Sequence, residues 1–315
     1  MLLFMICFSF VSCVSNNNQS GDSTTTTENL IATPEIMEST VIDSENLTRT
    51  NEMIIKGTPD ESSKSGLSPL PEISYKASDP DNQRGLSTEK ISHSHGPASG
   101  GKAHYTVVEM QKSMEKYQAF TVDMSGEKVL YLTFDCGYEY ENLTSRVLDT
   151  LKEKDVTATF FCTLDHIKKE PELISRMIKE GHIVGNHSTT HPSFATISRD
   201  KMVKEIEETE NYLRSNFGYT AKYFRFPAGE YNESALELIG SLGYRSVFWS
   251  VAYDDWDTTK TRGKDYAIDK VMSRLHPGAV ILLHSVSRDN ADALGEIIDK
   301  ARSQGYHFES LESYR

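Results

Sequence analysis

From residue 128 onward the chain falls into short apolar runs, separated by longer stretches in which apolar residues recur every three or four positions. The runs are KVLYLTF, TATFF, HIVGNHS, YFRFP, SVFWSV, AVILLH and HFESL. Between them lie NLTSRVLDTLKEK, EPELISRMIKEG, SRDKMVKEIEETENYLRSNFG, NESALELIGSLG, DYAIDKVMSRLHPG and NADALGEIIDKARSQG. The runs have the length and β-branched or aromatic content of strands, and the longer stretches have helical spacing. Several of these stretches open on Asn, Ser or Asp and close on Gly, which are helix start and stop signals. Strands alternating with helices imply a parallel sheet, because each crossover returns the chain to the same end of the next strand.

Polar residues gather where the apolar runs stop. Asp135 ends the first, His187 follows the third and Arg225 lies on the fourth. Asp255 and Trp256 follow the fifth, and His284 ends the sixth. In a closed β/α barrel the C-terminal strand ends converge on one face, where barrel enzymes carry their chemistry. The expectation is therefore an α/β barrel with its core over residues 128–315 and one site on its rim.

The first third differs. Residues 20–104 are poor in aromatics and rich in Ser, Thr, Asn, Gly and Pro, as in SNNNQSGDSTTTTEN and HSHGPASGGKAH. Such a stretch buries too little apolar surface to offset the ordering of its backbone, so it reads as a disordered linker, with a folded domain over 105–315. His93 and His95 fall in it and are expected to be solvated. Residues 1–19 contain MLLFMICFSFVSC, too short to span a bilayer but long enough for an export signal. FVSC loosely resembles a lipobox, with Cys13 as the acylated residue. The expected location is outside the cytoplasm, with membrane contact only through such a signal or lipid anchor.

The net charge of −13 is spread over both parts: 7 basic and 13 acidic residues before residue 105, 26 and 33 after it. No cluster of Lys and Arg offers the footprint of a nucleic-acid binder. Outside the signal only Cys136 and Cys162 remain. Cys162 reads as a small buried hydrophobe, and spacing alone does not establish a disulfide.

His187 and His191, four apart in NHSTTHP, bring two imidazoles to one side if the chain turns helically there. Neutral imidazoles bind divalent transition metals, and a third ligand with water would complete a hydrolytic site. Taken singly, Asp135 reads as a turn residue, Arg225 as a surface ion pair, Trp256 as core and His284 as a satisfied core histidine. His166, His182, His276 and His307 keep that structural reading.

In their order, TFDCG, HSTTHP, RFPAG, DW and ILLH resemble the NodB-homology polysaccharide deacetylases, carbohydrate esterase family 4. More narrowly, TFDCGYEYENLT, GHIVGNHSTTHP, VFWSVAYDDWD and HPGAVILLHSVSRDNADAL are similar to the delta-lactam-biosynthetic de-N-acetylases of spore-forming bacteria. The resemblance covers roughly residues 115–315 and implies a deformed (β/α)7 barrel that removes N-acetyl groups from peptidoglycan strands. The implied target is N-acetylmuramic acid, whose freed amine closes to the muramic δ-lactam of spore cortex.

The same resemblance implies roles. Asp135 would be the base, Arg225 would orient it, and His187 and His191 would hold a divalent metal, zinc if a thiolate joins them. Ala228 N–H would face the oxyanion, His284 would be the acid, and Leu283 and Trp256 would wall the acetyl pocket. Two departures stand out. Cys136 replaces the aspartate that completes the metal triad in most members, which leaves open whether it ligates. Ala252 replaces an acid expected to tune the catalytic histidine, a role that Asp254 or Asp255 would have to take. The alternatives are a deacetylase of N-acetylglucosamine in vegetative wall or chitin-like glycans, and a wall-binding lipoprotein without catalysis.

Overall fold

The computed structural model describes residues 73–314. The expected signal and lipobox, with residues 20–72 of the expected linker, lie outside them. Strands β1 (Ile91–Ser92) and β2 (Ala119–Phe120) precede the long β3 (Val129–Cys136), β4 (Thr159–Cys162) and β5 (Ile183–Asn186). Then come β6 (Tyr223–Phe224), β7 (Glu230–Tyr231), β8 (Arg245–Val247), β9 (Ala279–His284) and β10 (His307–Phe308). The helices are α1 (Tyr105–Met114), α2 (Leu143–Glu153), α3 (Leu164–Lys169), α4 (Pro171–Lys179), α5 (Arg199–Phe217), α6 (Glu233–Ser241), α7 (Lys264–Met272) and α8 (Arg288–Ser303).

Local sequence explains the helix ends. Ser198 accepts a bond from the Lys201 N–H at the start of α5, and Gly218 closes that helix at φ 60°. Asn232 caps α6 through Ala235 N–H at 2.8 Å. Each such cap is worth about 1 kcal/mol. The six expected helices are α2 and α4 through α8; α1 and the short α3 add to them.

All pairings around β3 are parallel. One edge of β3 carries β9 and the other carries β4, with β10 joined only at its N-terminal end, His307 beside Val129. From β4 the sheet continues through β5, β6 and β8 to β2. Beyond β8 the chain reaches β9 again: Ser250 N–H donates to Val280 O at 2.9 Å and Leu282 N–H to Val251 O at 2.9 Å. These bonds curl the sheet round on itself. The result is the expected deformed (β/α) barrel, with the last predicted strand reduced to a two-residue pairing far from the rim.

The pleat of β3 sorts its side chains into two layers. Val129 and Tyr131 point into the barrel and pack with Phe161, Val247 and Val280. Leu130, Leu132, Phe134 and Cys136 point outward and pack under the helices with Leu148 and Leu294. Side chains alternate with a period of two, so the same division runs along β4 and β9. Fully burying one such Leu or Phe stabilises the fold by about 1.5–3 kcal/mol.

The linker expectation fails for residues 73–104. β1 pairs antiparallel with β7, His93 N–H donates to Gly229 O at 2.9 Å, and Ser74 N–H donates to Leu242 O at 3.0 Å. Arg84 pairs with Glu237 at 2.5 Å. This segment is a strap whose backbone groups are met by the barrel's own loops, which composition alone does not reveal. His93 and His95 are accordingly not solvated. His93 Nε2 lies 2.7 Å from Trp249 O, and Trp249 Nε1 donates to His95 Nδ1 at 3.2 Å.

Candidate active site

Asp135 is the last inward-facing residue of β3, and Arg225 follows β6. Arg225 Nη1 donates to Asp135 Oδ1 at 2.8 Å, while its remaining donors reach Thr133 Oγ1 at 2.9 Å, Val247 O at 3.0 Å and Phe248 O at 3.3 Å. The guanidinium also sits 4.2 Å over the Phe161 ring. An arginine this enclosed and this fully bonded is a fixed clamp on the carboxylate, and the surface ion pair considered from sequence is excluded.

His187 Nδ1 donates to Arg225 O at 2.8 Å, which fixes the tautomer and leaves the Nε2 lone pair facing Asp135 Oδ2 at 3.6 Å. The His191 ring lies 4.8 Å from that of His187, nearly perpendicular to it. A left-handed residue, His191 at φ 56°, makes this approach. The turn expected after the third run is therefore tighter than a helix.

His284 ends β9 in register with Asp135 on β3. Its Nδ1 lies 2.7 Å from Asp255 Oδ1, and its backbone N–H donates to Asp255 Oδ2 at 2.8 Å. Asn290 Nδ2 also donates to Asp255. Asp255 thus takes the tuning role left open at Ala252. Asp254 does not: it is exposed and pairs with Arg262 at 2.6 Å.

The electrostatics follow from this packing. Burial works against ionisation of Asp135, but the charge of Arg225, helped by His187 and His284, outweighs it and holds the carboxyl below its usual range. Burial pushes His187 down to about 4 and lowers His191 as well, so both stay neutral. Burial also opposes the charge on His284, yet Asp255 and then Asp135 overcome it and raise its pKa. Their environments push the two titrations apart, the carboxyl toward its charged form and the imidazole toward its protonated form, at adjacent strand ends on one opening. That separation suits a base and an acid.

The opening is a cavity of about 1030 Å³ lined by Asp135, His187, His191, Ala228, Trp256 and His284 among others. Ala228 adopts φ 54° inside the Pro227–Gly229 turn, a conformation costly for a residue with a Cβ. Trp256 is 59 % exposed, so it forms a rim rather than the wall of a closed pocket.

Two expected residues do not reach the cavity. Leu283 is on the outward row of β9 and fully buried; its neighbour Leu282 faces the opening instead. Cys136 is likewise on the outward row of β3, beside Cys162 and His166, and shares no rim with His187 and His191. The reason is the pleat: adjacent residues on one strand face opposite layers. Sequence reading missed Leu282, Trp249, His95, Arg274 and Lys270, all of which line the cavity. For Leu282, counting by two back from His284 would have found it.

As for metal, the neutral imidazoles of His187 and His191 are the groups that would hold a divalent ion, with Asp135 Oδ2 3.6 Å from His187 Nε2 left free to act as base and no sulfur on the rim among the described residues.

Known proteins share the sequence and the fold of this chain. Residues 123–247 match the polysaccharide deacetylase family model. Over 224 residues the chain is 43% identical to the peptidoglycan-N-acetylmuramic acid deacetylase PdaA of Bacillus subtilis (strain 168), covering 71% of this chain and 82% of that one. It is 36% identical over 205 residues to a peptidoglycan-N-acetylglucosamine deacetylase of Bacillus cereus, covering 64% of this chain and 73% of the other. The solved structure of Bacillus subtilis PdaA, a family 4 carbohydrate esterase, superposes with a TM-score of 0.69 at 40% identity, over 73% of this chain and 98% of that one. The chain belongs to the polysaccharide deacetylases of carbohydrate esterase family 4, hydrolases acting on carbon–nitrogen bonds.

Proposed function

We propose that this protein removes the N-acetyl group from N-acetylmuramic acid in peptidoglycan, outside the cytoplasm, and so prepares the muramic δ-lactam of spore cortex. The observation that carries the reading is the pairing of Asp135 and His284 in register on adjacent strands, each with a dedicated partner, Arg225 and Asp255. A binding module has no use for a carboxylate favoured charged beside an imidazole favoured protonated. Arg274 and Lys270 line the same cavity and suit the lactyl carboxylate that distinguishes a muramic sugar.

Amide hydrolysis needs an activated water, a stabilised oxyanion and a proton for the leaving amine. Asp135 Oδ2, free of the Arg225 bond, takes the proton from the attacking water. Ala228 N–H meets the oxyanion. His284 protonates the departing nitrogen, held on target through Nδ1 by Asp255. His187 and His191 would hold a divalent metal, which when bound lowers the pKa of water and polarises the carbonyl. Trp256 offers an apolar face to a sugar ring at the rim.

The test is incubation of the full chain with defined muramoyl glycans, followed by mass spectrometry for acetyl loss and ring closure. Release of acetate from muramic residues, abolished by Asp135→Asn, is the expected result. Release from glucosamine residues alone would favour the vegetative-wall reading, and no release with any of several divalent metals would favour a binder.

A further inference from the structure

Behind the rim, on the outward face of the same strand ends, lies a cluster that the proposed reaction does not use. Cys136 and Cys162 are register partners on β3 and β4, and His166 stands in the first turn of α3. One ligand atom from each lies within 4.8 Å of the other two. All three residues are fully buried. Neither ring nitrogen of His166 has a hydrogen-bond partner, and both cysteines are unbridged. A buried imidazole with two unmet nitrogens beside two thiols is costly as it stands, and a metal ion meets all three groups at once.

We propose that Cys136, Cys162 and His166 form a second, buried metal site that takes zinc, distinct from the two-histidine site on the rim. The chemistry selects the ion. Thiolate and imidazole donors exclude hard oxygen-seeking cations. Two thiolates with one divalent ion sum to zero charge, so the centre can sit among Phe134, Phe160 and Ile167 without a buried net charge. Zinc places its ligand atoms roughly 3.5–3.8 Å apart, so small side-chain rotations close the three protein ligands on it, and a neutral water would take the fourth position without adding charge. Binding deprotonates both thiols and releases their two protons to solvent.

The site would stitch together two strand ends and a helix. Cys136 adjoins Asp135, and Thr163, which caps α3 and lines the catalytic cavity, lies between Cys162 and His166. Zinc there would hold the base and one cavity wall in place from behind.

The experiment uses the full chain with Cys7→Ser and Cys13→Ser, which leaves Cys136 and Cys162 as its two thiols. Reduced, metal-free protein is titrated with cobalt(II) alone and read for the sulfur-to-cobalt charge-transfer band in the near ultraviolet. The expected result is a band that saturates near one equivalent, survives His187→Ala, disappears in the similar-sized Cys162→Val, and changes its visible d–d pattern in His166→Phe. Zinc should displace the cobalt and raise Tm in the parent but not in Cys162→Val, with circular dichroism verifying that each variant is folded. A reduced parent without the band, a band indifferent to Cys162→Val, or a disulfide joining the two cysteines in protein isolated without reductant would each overturn the proposal. None of these readouts depends on deacetylation, so this proposal and the catalytic reading fail separately.

Discussion

Replacing Asp255 by Asn tests the assignment of the acid. The Asp255 side chain is 1 % exposed and its Oδ1 lies 2.7 Å from His284 Nδ1. A charge-assisted hydrogen bond in such a setting is worth about 1.5–3 kcal/mol. Removing the negative charge lowers the His284 pKa, and the lost bond corresponds to a roughly 10- to 100-fold change in its protonation equilibrium. The amide oxygen can still accept from Nδ1–H, while the amide nitrogen that replaces Oδ2 faces two donors, the His284 N–H and Asn290 Nδ2, a strain that Tm would register. A general acid must carry its proton before the reaction, so the alkaline limb of the kcat profile moves toward lower pH. Above that limb the rate falls roughly 10- to 100-fold, and the gap closes as pH falls. The assay is acetate release from muramoyl glycan across the pH range, with Tm recorded for each protein. An alkaline limb that stays where it is, or a loss of equal size at every pH, would refute the electrostatic role given to Asp255.

Other outcomes follow from the same geometry. Removing the imidazole with His284→Ala should cost roughly 10²- to 10⁴-fold in kcat, the range for a lost general acid, and near-native turnover would take His284 out of the mechanism. Arg225→Met leaves the Asp135 carboxylate buried without its partner, so thermal denaturation should show a loss of about 3–5 kcal/mol; an unchanged Tm would contradict the clamp. Burial pushes His182 down to about 4, and its Nδ1 accepts from Ala158 N–H at 3.2 Å. The unfolded chain therefore binds the proton first as pH falls below about 6.5. Stability should decline between pH 6.5 and 4 by roughly 3 kcal/mol from this residue, a decline reduced in His182→Asn, whose Oδ1 can accept the same bond. Deleting residues 1–104 uncovers Trp249 and β7, so Tm should drop and KM should rise; a shortened chain that melts like the parent would show the strap to be dispensable.

Much of the barrel was legible because each strand and helix carries its own period and caps, and chain order alone then forces the parallel sheet. The rim residues Asp135, His187, Arg225 and His284 were legible for the same reason: they stand where apolar runs stop. Leu283 was misread, and the question at Cys136 stayed open, because each sits next to a true rim residue and neighbours in sequence are easily taken as neighbours in space. A strand denies that, since one step along it crosses to the other layer. The strap escaped notice for a different reason. Its contacts are backbone bonds, ion pairs to α6 and β7, and isolated apolar side chains such as Ile73 and Tyr75, and none of these leaves a period in the hydrophobic pattern. Asp255 could not be told from Asp254 by type; burial on one side and Arg262 on the other separate them.

The left-handed backbone at Ala228 has a consequence of its own. Glycine there would relieve a steric penalty of about 1–2 kcal/mol but add about 0.5–1 kcal/mol of unfolded-state freedom, so the exchange runs from neutral to about 1 kcal/mol in favour of glycine. The methyl group is therefore kept at a small thermodynamic cost, and what it supplies is stiffness: a turn with fewer conformations to wander through between one turnover and the next.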